Sequence, residues 1–290
     1  MPALITLLDV TVRWPAEPGL PARTALKRVS LEVAAGELVG VVGAAGSGGA
    51  TLVRALNGVV PQLIPAEVTG RLEVCGLDAV RTPVAEMARV VSLVTDDPEA
   101  QMTQLTVDAE VAFGLENQGL PLDEMRARVA EVLALVGLDA LAARNPLTLS
   151  GGEQQRLVVA CAIASRPRVL ALDEPTANLD GPAGRRVLEL ARGLASGPDG
   201  VAVVIASHNV DLLAEYADRI VWLRDGRMVL DGDPSAVFTA MAHERAQERV
   251  NPGPPAATPA VTELCARLDP GSQALPVTVA GTVEWLAGRG

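Results

Sequence analysis

The clearest pattern in the chain is a set of short, almost wholly apolar runs that end in glycine or polar residues. They are Leu38 to Val42, Val169 to Leu172 and Val201 to Ala206. Such runs are typical of strands buried on both faces of a parallel sheet. A stretch with helical spacing begins at Ala50, after the first run. A second such stretch, Arg185 to Leu194, separates the other two runs. This alternation predicts an α/β fold built around a parallel sheet.

The residues that follow these runs predict where a ligand would bind. In open parallel sheets, ligands bind beyond the carboxyl ends of the strands. Gly43 follows the first run, and Asp173 with Glu174 follows the second. His208 lies just beyond the third. We therefore expect these residues to converge at one edge of the sheet.

The segments between and after the strands predict how the chain is divided. Two helix-like stretches in about 86–145 predict a helical lobe inserted in the α/β core, with outer bounds of about 86–165. After Asp233 the composition changes, and Asn251 to Pro259 is a proline-rich connector. We expect one domain over residues 1–242, followed over 243–290 by the connector and a small C-terminal appendage.

A glycine-rich loop joins the first strand to the helix after it, and from Gly43 to Thr51 it reads GAAGSGGAT. Glycines let successive backbone N–H groups point into one concavity at a helix N-terminus, where they bind phosphate oxygens. In the pattern G-x-x-x-x-G-K-[ST], the lysine contacts the β and γ phosphates and the hydroxyl ligates magnesium. Here Gly49 and Ala50 stand in those two places. The loop keeps the phosphate cradle and lacks both working side chains.

Neither nearby polar residue is expected to replace them. Thr51 comes one position late on the helix, which turns its hydroxyl about 100° away. Arg54 lies one turn further along and is expected to face away from the phosphates. Taken alone, the loop is equally compatible with an ordinary glycine-rich turn.

Two downstream motifs favour the nucleotide interpretation. Asp173 and Glu174 end an apolar strand, an arrangement that holds magnesium through the first carboxylate and polarises an attacking water through the second. The alternative interpretation of Asp173 and Glu174 is an ordinary strand followed by an acidic turn. Upstream, the segment from Leu149 reads LSGGEQQR, in which Ser150 and Glu153 also form a capping box that opens an apolar helix. A serine and two glycines at a helix start present N–H groups to an anion.

The segment LSGGEQQR resembles the signature motif of ABC ATPases. Ala177 to Asp180 resembles their D-loop, and Ser207 with His208 resembles their switch histidine, a purely structural histidine being the alternative. Trp14 resembles the aromatic residue that stacks on adenine, with core packing as the alternative. Asp96 stands where the family carries the Q-loop glutamine, and an anion there would repel a γ-phosphate unless a metal intervenes.

The resemblance implies a P-loop NTPase core of the ABC ATPase type, with an inserted helical subdomain and a small antiparallel β region near the N-terminus. It also implies ATP and Mg²⁺ as cofactors. Glu174 and His208 are then the candidate catalytic residues, and Asp173 and Asp96 the candidate metal ligands. The candidate nucleotide-contacting residues are Trp14, Gly43, Gly46, Ser47, Gly48, Gly49, Ala50, Thr51, Asp96, Ser150, Gly151, Gly152, Glu153 and Gln154.

A narrower resemblance lies in three segments: Asn57 to Ile64, Asp97 to Gln101 and Gln104 to Asn117. They look like the ATPase subunits of energy-coupling factor importers, the cobalt and vitamin uptake group, and the similarity runs from about Leu4 to Phe238. That family implies two ATPase subunits that drive an integral membrane coupling protein, which in turn serves a substrate-capture protein. Grooves of the helical lobe near residues 96–113 would receive the coupling helices.

In ABC ATPases each nucleotide lies between two subunits packed head to tail. The intact signature of this chain would therefore serve the partner's nucleotide, whereas its own glycine loop would hold the other one poorly. The resemblance predicts a heterodimer with one competent and one degenerate site, and leaves open whether this chain hydrolyses ATP. A non-transport ABC ATPase is the runner-up, disfavoured because no long coiled coil fits between glycine loop and signature. A nucleotide-free scaffold that only binds partners is the third hypothesis.

Composition and charge limit the partners further. The 290 residues are 49% hydrophobic and carry a net charge of −11, which opposes binding to nucleic acid or to anionic lipid. The apolar runs are far shorter than the roughly 20 residues that span a bilayer, and the N-terminus lacks the features of a signal peptide. We expect a cytoplasmic protein, peripheral on the inner face of the cell membrane through protein partners. The widely spaced Cys75, Cys161 and Cys265 are expected to be reduced packing residues.

Overall fold

The fold is that of a computed structural model, which describes residues 3–16, 18–19, 21–247, 257–269 and 271–287. The strands are β1 (Ala3–Trp14), β2 (Arg23–Ala34), β3 (Leu38–Val42), β4 (Glu67–Val74), β5 (Leu77–Asp78), β6 (Val91–Val94), β7 (Val169–Asp173), β8 (Ala202–Ala206), β9 (Arg219–Arg224) and β10 (Arg227–Gly232). The helices are α1 (Gly49–Leu56), α2 (Val59–Gln62), α3 (Val84–Met87), α4 (Val107–Asn117), α5 (Leu122–Val136), α6 (Gly151–Ala164), α7 (Gly181–Ser196), α8 (Val210–Tyr216), α9 (Pro234–Gln247), α10 (Ala260–Leu268) and α11 (Val279–Ala287).

A six-stranded sheet in the order β10-β9-β3-β8-β7-β6 forms the centre of the fold. All neighbouring strands are parallel except the antiparallel edge pair β9 and β10. Every residue of β3, β7 and β8 is buried, as the three apolar runs predict. Val201 is the one residue of those runs that lies just outside its strand.

A second sheet, antiparallel, has the order β2-β1-β4-β5. Buried and exposed residues alternate along much of β2, because one face packs on the core and the other meets solvent. The inner face of this sheet and helix α1 share one hydrophobic cluster with β3 and β8, which includes Ile5, Leu52 and Val39. The antiparallel β region near the N-terminus is therefore confirmed.

The segment between β6 and β7 is helical. Helices α4 and α5 both pack against α6, and Val111, Val129 and Leu157 belong to one buried cluster on the other side of the central sheet. The helical lobe predicted from the sequence is therefore present. The proposed limits of the two domains and of the subdomain stay predictions.

The C-terminal helices pack on the core. Helix α10 contacts α9, and a small buried cluster joins Ala242 to Cys265 and Leu275. The hydroxyl of Thr262 donates to the carbonyl of Pro276 at 2.9 Å. Residues 251–256 of the predicted proline-rich connector lie outside the described residues.

Two further observations concern the expectations drawn from composition. All three cysteines are free thiols, and burial raises the pKa of the Cys161 thiol. In the described part of the chain, no helix combines the length and the apolar character needed to cross a membrane.

Candidate functional site

The glycine loop runs from the end of β3 to the start of α1, and its glycines are required by close backbone contacts. A Cβ on Gly43 would lie 2.4 Å from both the Leu223 carbonyl oxygen and the Ser47 Oγ. Gly48 has φ 113° at the N-cap of α1, a conformation open to glycine and strained for other residues. A Cβ there would lie 2.5 Å from the carbonyl oxygen of Ala25. The loop conformation therefore depends on these glycines.

The loop and three strand ends surround a cavity of about 250 Å³. The cavity brings together most of the residues singled out in the sequence. It is lined by Arg23, Val41, Val42, the loop residues 43–51, Asp96, Asp173, Glu174, Ala206, Ser207 and His208. The expected convergence of Gly43, Asp173, Glu174 and His208 at one sheet edge is confirmed.

The two unusual loop positions place no functional side chain in this cavity. Gly49 begins α1, and a Cβ there would lie 3.3 Å from the Cβ of Ala206. Ala50 ends in a methyl group, so it offers no oxygen ligand. Thr51 is buried, with 7% of its surface exposed. The N-terminus of α1 therefore offers phosphate its backbone N–H groups without a cationic side chain from position 49.

Arg54, which is expected to face away from the phosphates, is not among the residues that line the loop cavity, but it contacts two carboxylates that do. Its guanidinium Nη2 lies 2.8 Å from Oδ1 of Asp96 and 3.1 Å from Oδ2 of Asp173. The physical reason is that Arg54 lies four residues after Ala50 and so shares its helix face. Side chains also tilt toward the helix N-terminus, which carries a long arginine back toward the loop.

The carboxylate of Asp173 is in an unusual electrostatic environment. Burial raises its pKa to about 6, Arg54 opposes that shift, and the nearby charges of Asp96 and Glu174 add to it. Its side chain is only 5% exposed, whereas that of Asp96 is 56% exposed. Arg54 is thus the cation that stabilises a buried carboxylate beside two other acids.

Glu174 is held in place by the residues that follow β8. Its backbone has φ 48°, a strained conformation for a residue with a side chain. Its carboxylate accepts the Ser207 hydroxyl at 3.0 Å and the backbone N–H of His208 at 2.9 Å. The Nε2 of His208 lies 3.6 Å from the same carboxylate. The geometry fixes one carboxylate and one exposed imidazole at the mouth of the cavity.

Sequence reasoning missed the roles of two residues near the site. Ser207 was noted only as the neighbour of His208, although its hydroxyl orients Glu174. Arg23 lines the loop cavity and pairs with Trp14 across the β1–β2 ladder. No spacing in the sequence could indicate that cross-strand pair.

Trp14 does not line the loop cavity. It lines a separate surface groove together with Arg13, Ala22, Pro65 and Glu67, and it also packs against the core cluster beneath the antiparallel sheet. Because Trp14 is the cross-strand partner of Arg23, which lines the loop cavity, Trp14 lies beside the site rather than within it.

The segment Ser150–Gln154 also lies apart from the loop cavity, at the N-terminus of α6. Ser150 and Glu153 form the predicted capping box. Ser150 and Gly151 are exposed, and a Cβ on Gly151 would meet nothing within 4 Å. This helix start is therefore exposed to solvent and does not line the cavity of the chain's own glycine loop.

Comparison with known proteins identifies the family. A family model described as ABC transporter matches residues 26–177. The chain belongs to the ABC transporter family. This ABC ATP-binding protein is 39% identical over 280 residues to the energy-coupling factor transporter ATP-binding protein EcfA2 of Symbiobacterium thermophilum, which covers 94% of each chain.

Two solved structures support the same fold for the ABC protein. One is a dimeric ATP-binding cassette in a post-hydrolysis state bound to ADP and Pi, with TM-score 0.70, 26% identity, and coverage of 79% of this chain and 98% of that one. The other is cbiO1 from Clostridium perfringens, part of the ABC transporter complex cbiONQ, with TM-score 0.69, 27% identity, and coverage of 86% and 96%. The predicted P-loop NTPase fold of ABC type is thereby confirmed.

The capping box of the ABC protein gives a testable prediction. Ser150→Ala should lower the free energy of unfolding by about 1 kcal/mol at neutral pH, the usual cost of losing an N-cap. Hydrogen bonds from the backbone and side chain of Ser150 lower the pKa of Glu153. The part of the stabilisation that comes from the bond between the Ser150 hydroxyl and the charged Glu153 carboxylate is therefore complete above the ordinary carboxyl pKa of about 4.3 and is lost as the pH falls through the lowered folded value. The bond from the Glu153 backbone N–H to the Ser150 hydroxyl does not titrate. Urea unfolding at several pH values should show the difference shrinking in acid.

Glu153→Gln is the matched control for the capping box, because it keeps the size of the side chain and removes its titration. In that background the effect of Ser150→Ala should no longer depend on acidic pH. An effect of Ser150→Ala on the original chain that stays constant from neutral to strongly acidic pH would contradict the contribution of the charged Glu153 carboxylate to the capping box.

Proposed function

We propose that this ABC protein is the ATP-binding subunit of an energy-coupling factor type importer. In this proposal it pairs with a second ATP-binding subunit and contributes a degenerate half-site. One observation carries the proposal: the signature segment at the start of α6 is exposed and does not line the cavity of the chain's own glycine loop, whose positions 49 and 50 lack a cation and a hydroxyl. In this proposal the signature segment serves the partner's nucleotide, whereas the chain's own glycine loop lacks the side chains that would hold its own nucleotide tightly.

ATP is the ligand that best fits the cavity. The loop presents backbone N–H groups at the N-terminus of an eight-residue helix, α1, which suits phosphate oxygens. Arg23 adds a cation to the cavity wall, and Trp14 on the neighbouring strand offers an aromatic ring beside it. The likeness to a cassette bound to ADP and Pi supports the same ligand class.

The residues that would do chemistry are only partly present. Glu174, oriented by Ser207 and by the N–H of His208, is placed to accept a proton from water, and the His208 imidazole lies beside it. Without a lysine at position 49, charge that develops on the transferred phosphoryl group lacks its usual counter-charge. The loss of that transition-state interaction lowers turnover more than binding. This half-site therefore binds nucleotide more readily than it hydrolyses it.

A membrane coupling protein is the proposed mechanical partner. A cavity of about 680 Å³ lies among β6, α4 and α6, and its wall includes Leu93, Gln101, Gly114 and Val158. Phe113, also on α4, is 43% exposed. An apolar-walled groove beside the Asp96 segment suits a helix from a membrane protein, and would make this chain peripheral on the membrane's inner face. The net charge of −11 argues for protein rather than lipid or nucleic acid as the partner.

The first prediction concerns the chain alone. Purified by itself, it should hydrolyse ATP at background level, because its own site lacks the loop cation and the partner's signature.

Gly49→Lys with Ala50→Ser should tighten binding of a fluorescent ATP analogue about tenfold to a hundredfold, the usual worth of a charge-assisted hydrogen bond. Strong turnover by the unmodified single chain would contradict the degenerate half-site. Lack of analogue binding by this chain in any condition would favour the nucleotide-free scaffold.

The second prediction concerns the donated signature. Gly151→Glu places a negative charge where the partner's nucleotide would lie, and should abolish ATP turnover of the complex co-purified with this chain. Glutamate is favourable in the first turn of a helix, and a Cβ at Gly151 meets open space, so folding should be preserved. Gly151→Ala is the control and should retain most of the turnover. Full turnover in the glutamate variant would refute the donated signature.

The third prediction concerns the coupling groove. Gly114 lines the groove, and a Cβ there meets nothing within 4 Å. Gly114→Trp should fill the groove and prevent recovery of the integral membrane partner in a pull-down analysed by mass spectrometry, whereas the second ATP-binding subunit is still recovered. Gly114→Ala should recover both partners. Undiminished recovery of the membrane partner by the tryptophan variant would argue against docking at this groove.

A further inference from the structure

The side chain of Arg54 lies where two acidic motifs of the site meet. Its Nη2 is within hydrogen-bond distance of Asp96 from the segment after β6 and of Asp173 from the end of β7. Both carboxylates line the cavity formed by the glycine loop, and Arg54 contacts them from helix α1. One guanidinium therefore joins the two residues that the sequence assigned to a metal ion.

The sequence of α1 explains why the arginine can reach this position. Ala50 precedes it by one helical turn on the same face, and its methyl group leaves the space in front of Arg54 free of any longer side chain. A lysine at 49 and a hydroxyl residue at 50 would place a second cation and a metal ligand at the same helix start. Their absence leaves Arg54 as the cation that α1 supplies to the site.

Magnesium does not fit this arrangement as the residues stand. Mg²⁺ requires near-octahedral oxygen coordination at about 2.0–2.1 Å, and position 50 supplies no oxygen. The other candidate ligands are the carboxylates of Asp173 and Asp96. Both already accept hydrogen bonds from the Arg54 guanidinium, which cannot lose its proton in proteins. Within the described residues, no group of three or more His, Cys, Asp or Glu side chains is arranged to hold a metal ion.

We propose that the guanidinium of Arg54 is the resident cation of this half-site and that the nucleotide is held there without magnesium. This inference rests on the proposed function, because it deepens the description of the degenerate half-site. Arg54 neutralises the carboxylates that would otherwise repel the phosphates. The Nε of Arg54 is buried and has no hydrogen-bond partner among the described residues.

The arrangement has a functional consequence. An arginine carries one charge and is tethered to its helix, whereas magnesium carries two and coordinates the phosphate oxygens directly. The site can then keep a nucleotide bound while the competent site of the dimer turns over. Its occupancy becomes insensitive to the free magnesium concentration.

The test uses the full chain and a fluorescent ATP analogue, titrated in the presence of either Mg²⁺ or EDTA. The original chain should bind the analogue equally well in both, to within about threefold, which is under 1 kcal/mol. Arg54→Met should weaken binding in EDTA about tenfold to a hundredfold, and Mg²⁺ should restore part of it because the two carboxylates become available. Arg54→Lys should be intermediate, since it keeps the positive charge without the planar guanidinium.

Arg81→Met is the matched control, because Arg81 is 87% exposed and pairs only with Asp78 at the surface. It should leave analogue binding unchanged in both buffers. Thermal unfolding of each variant establishes that it is folded. Binding by the original chain that collapses in EDTA and is unaffected by Arg54→Met would overturn the proposal.

A second measurement does not need nucleotide at all. Electron paramagnetic resonance measures the concentration of free Mn²⁺. The Arg54→Met variant should bind Mn²⁺, and the original chain should not. Adding Asp173→Asn to the Arg54→Met variant should remove that binding. Uptake by the original chain that Asp173→Asn abolishes would overturn the proposal. If the original chain binds no analogue in either buffer, the degenerate half-site itself fails, and the Mn²⁺ measurement still decides whether Arg54 occupies the cation position.

Discussion

The parallel pairing of β8 with both β3 and β7 is the constraint on which the site depends. Ala206 lies opposite Val41 on one side and opposite Asp173 on the other. The chain therefore leaves the sheet at one edge in three neighbouring places, with the glycine loop, Glu174 and His208. Because side chains alternate along strands, a slip of one residue would turn Asp173 to the other face of the sheet.

Strained backbone at that edge gives the site its shape. Gly48 and Glu174 both have positive φ, which glycine adopts freely and which a residue with a side chain adopts only where the surrounding structure enforces it. The Glu174 carboxylate is then oriented from β8 by Ser207 and by the His208 backbone. A carboxylate at the end of one strand is thus positioned by the residues that follow the strand beside it.

Electrostatics explain how the site tolerates its missing lysine. Asp96, Asp173 and Glu174 lie close together, and burial of Asp173 makes its negative charge costly. Arg54 offsets part of that cost from within the chain. The glycine at position 49, the aspartate at position 96 and the arginine at position 54 therefore all bear on the charge of the site.

The sequence by itself determined the central strands, the glycine loop, the acidic pair and the capping box of α6, because each depends on residues that are close along the chain. It also determined the family, through motifs whose order and spacing are specific. Only the tertiary structure decided the direction of Arg54, the support of Glu174 by Ser207 and the pairing of Trp14 with Arg23. Those contacts join residues on different elements that only folding brings together, and a side chain on a helix can reach whichever partner the packing places within its length.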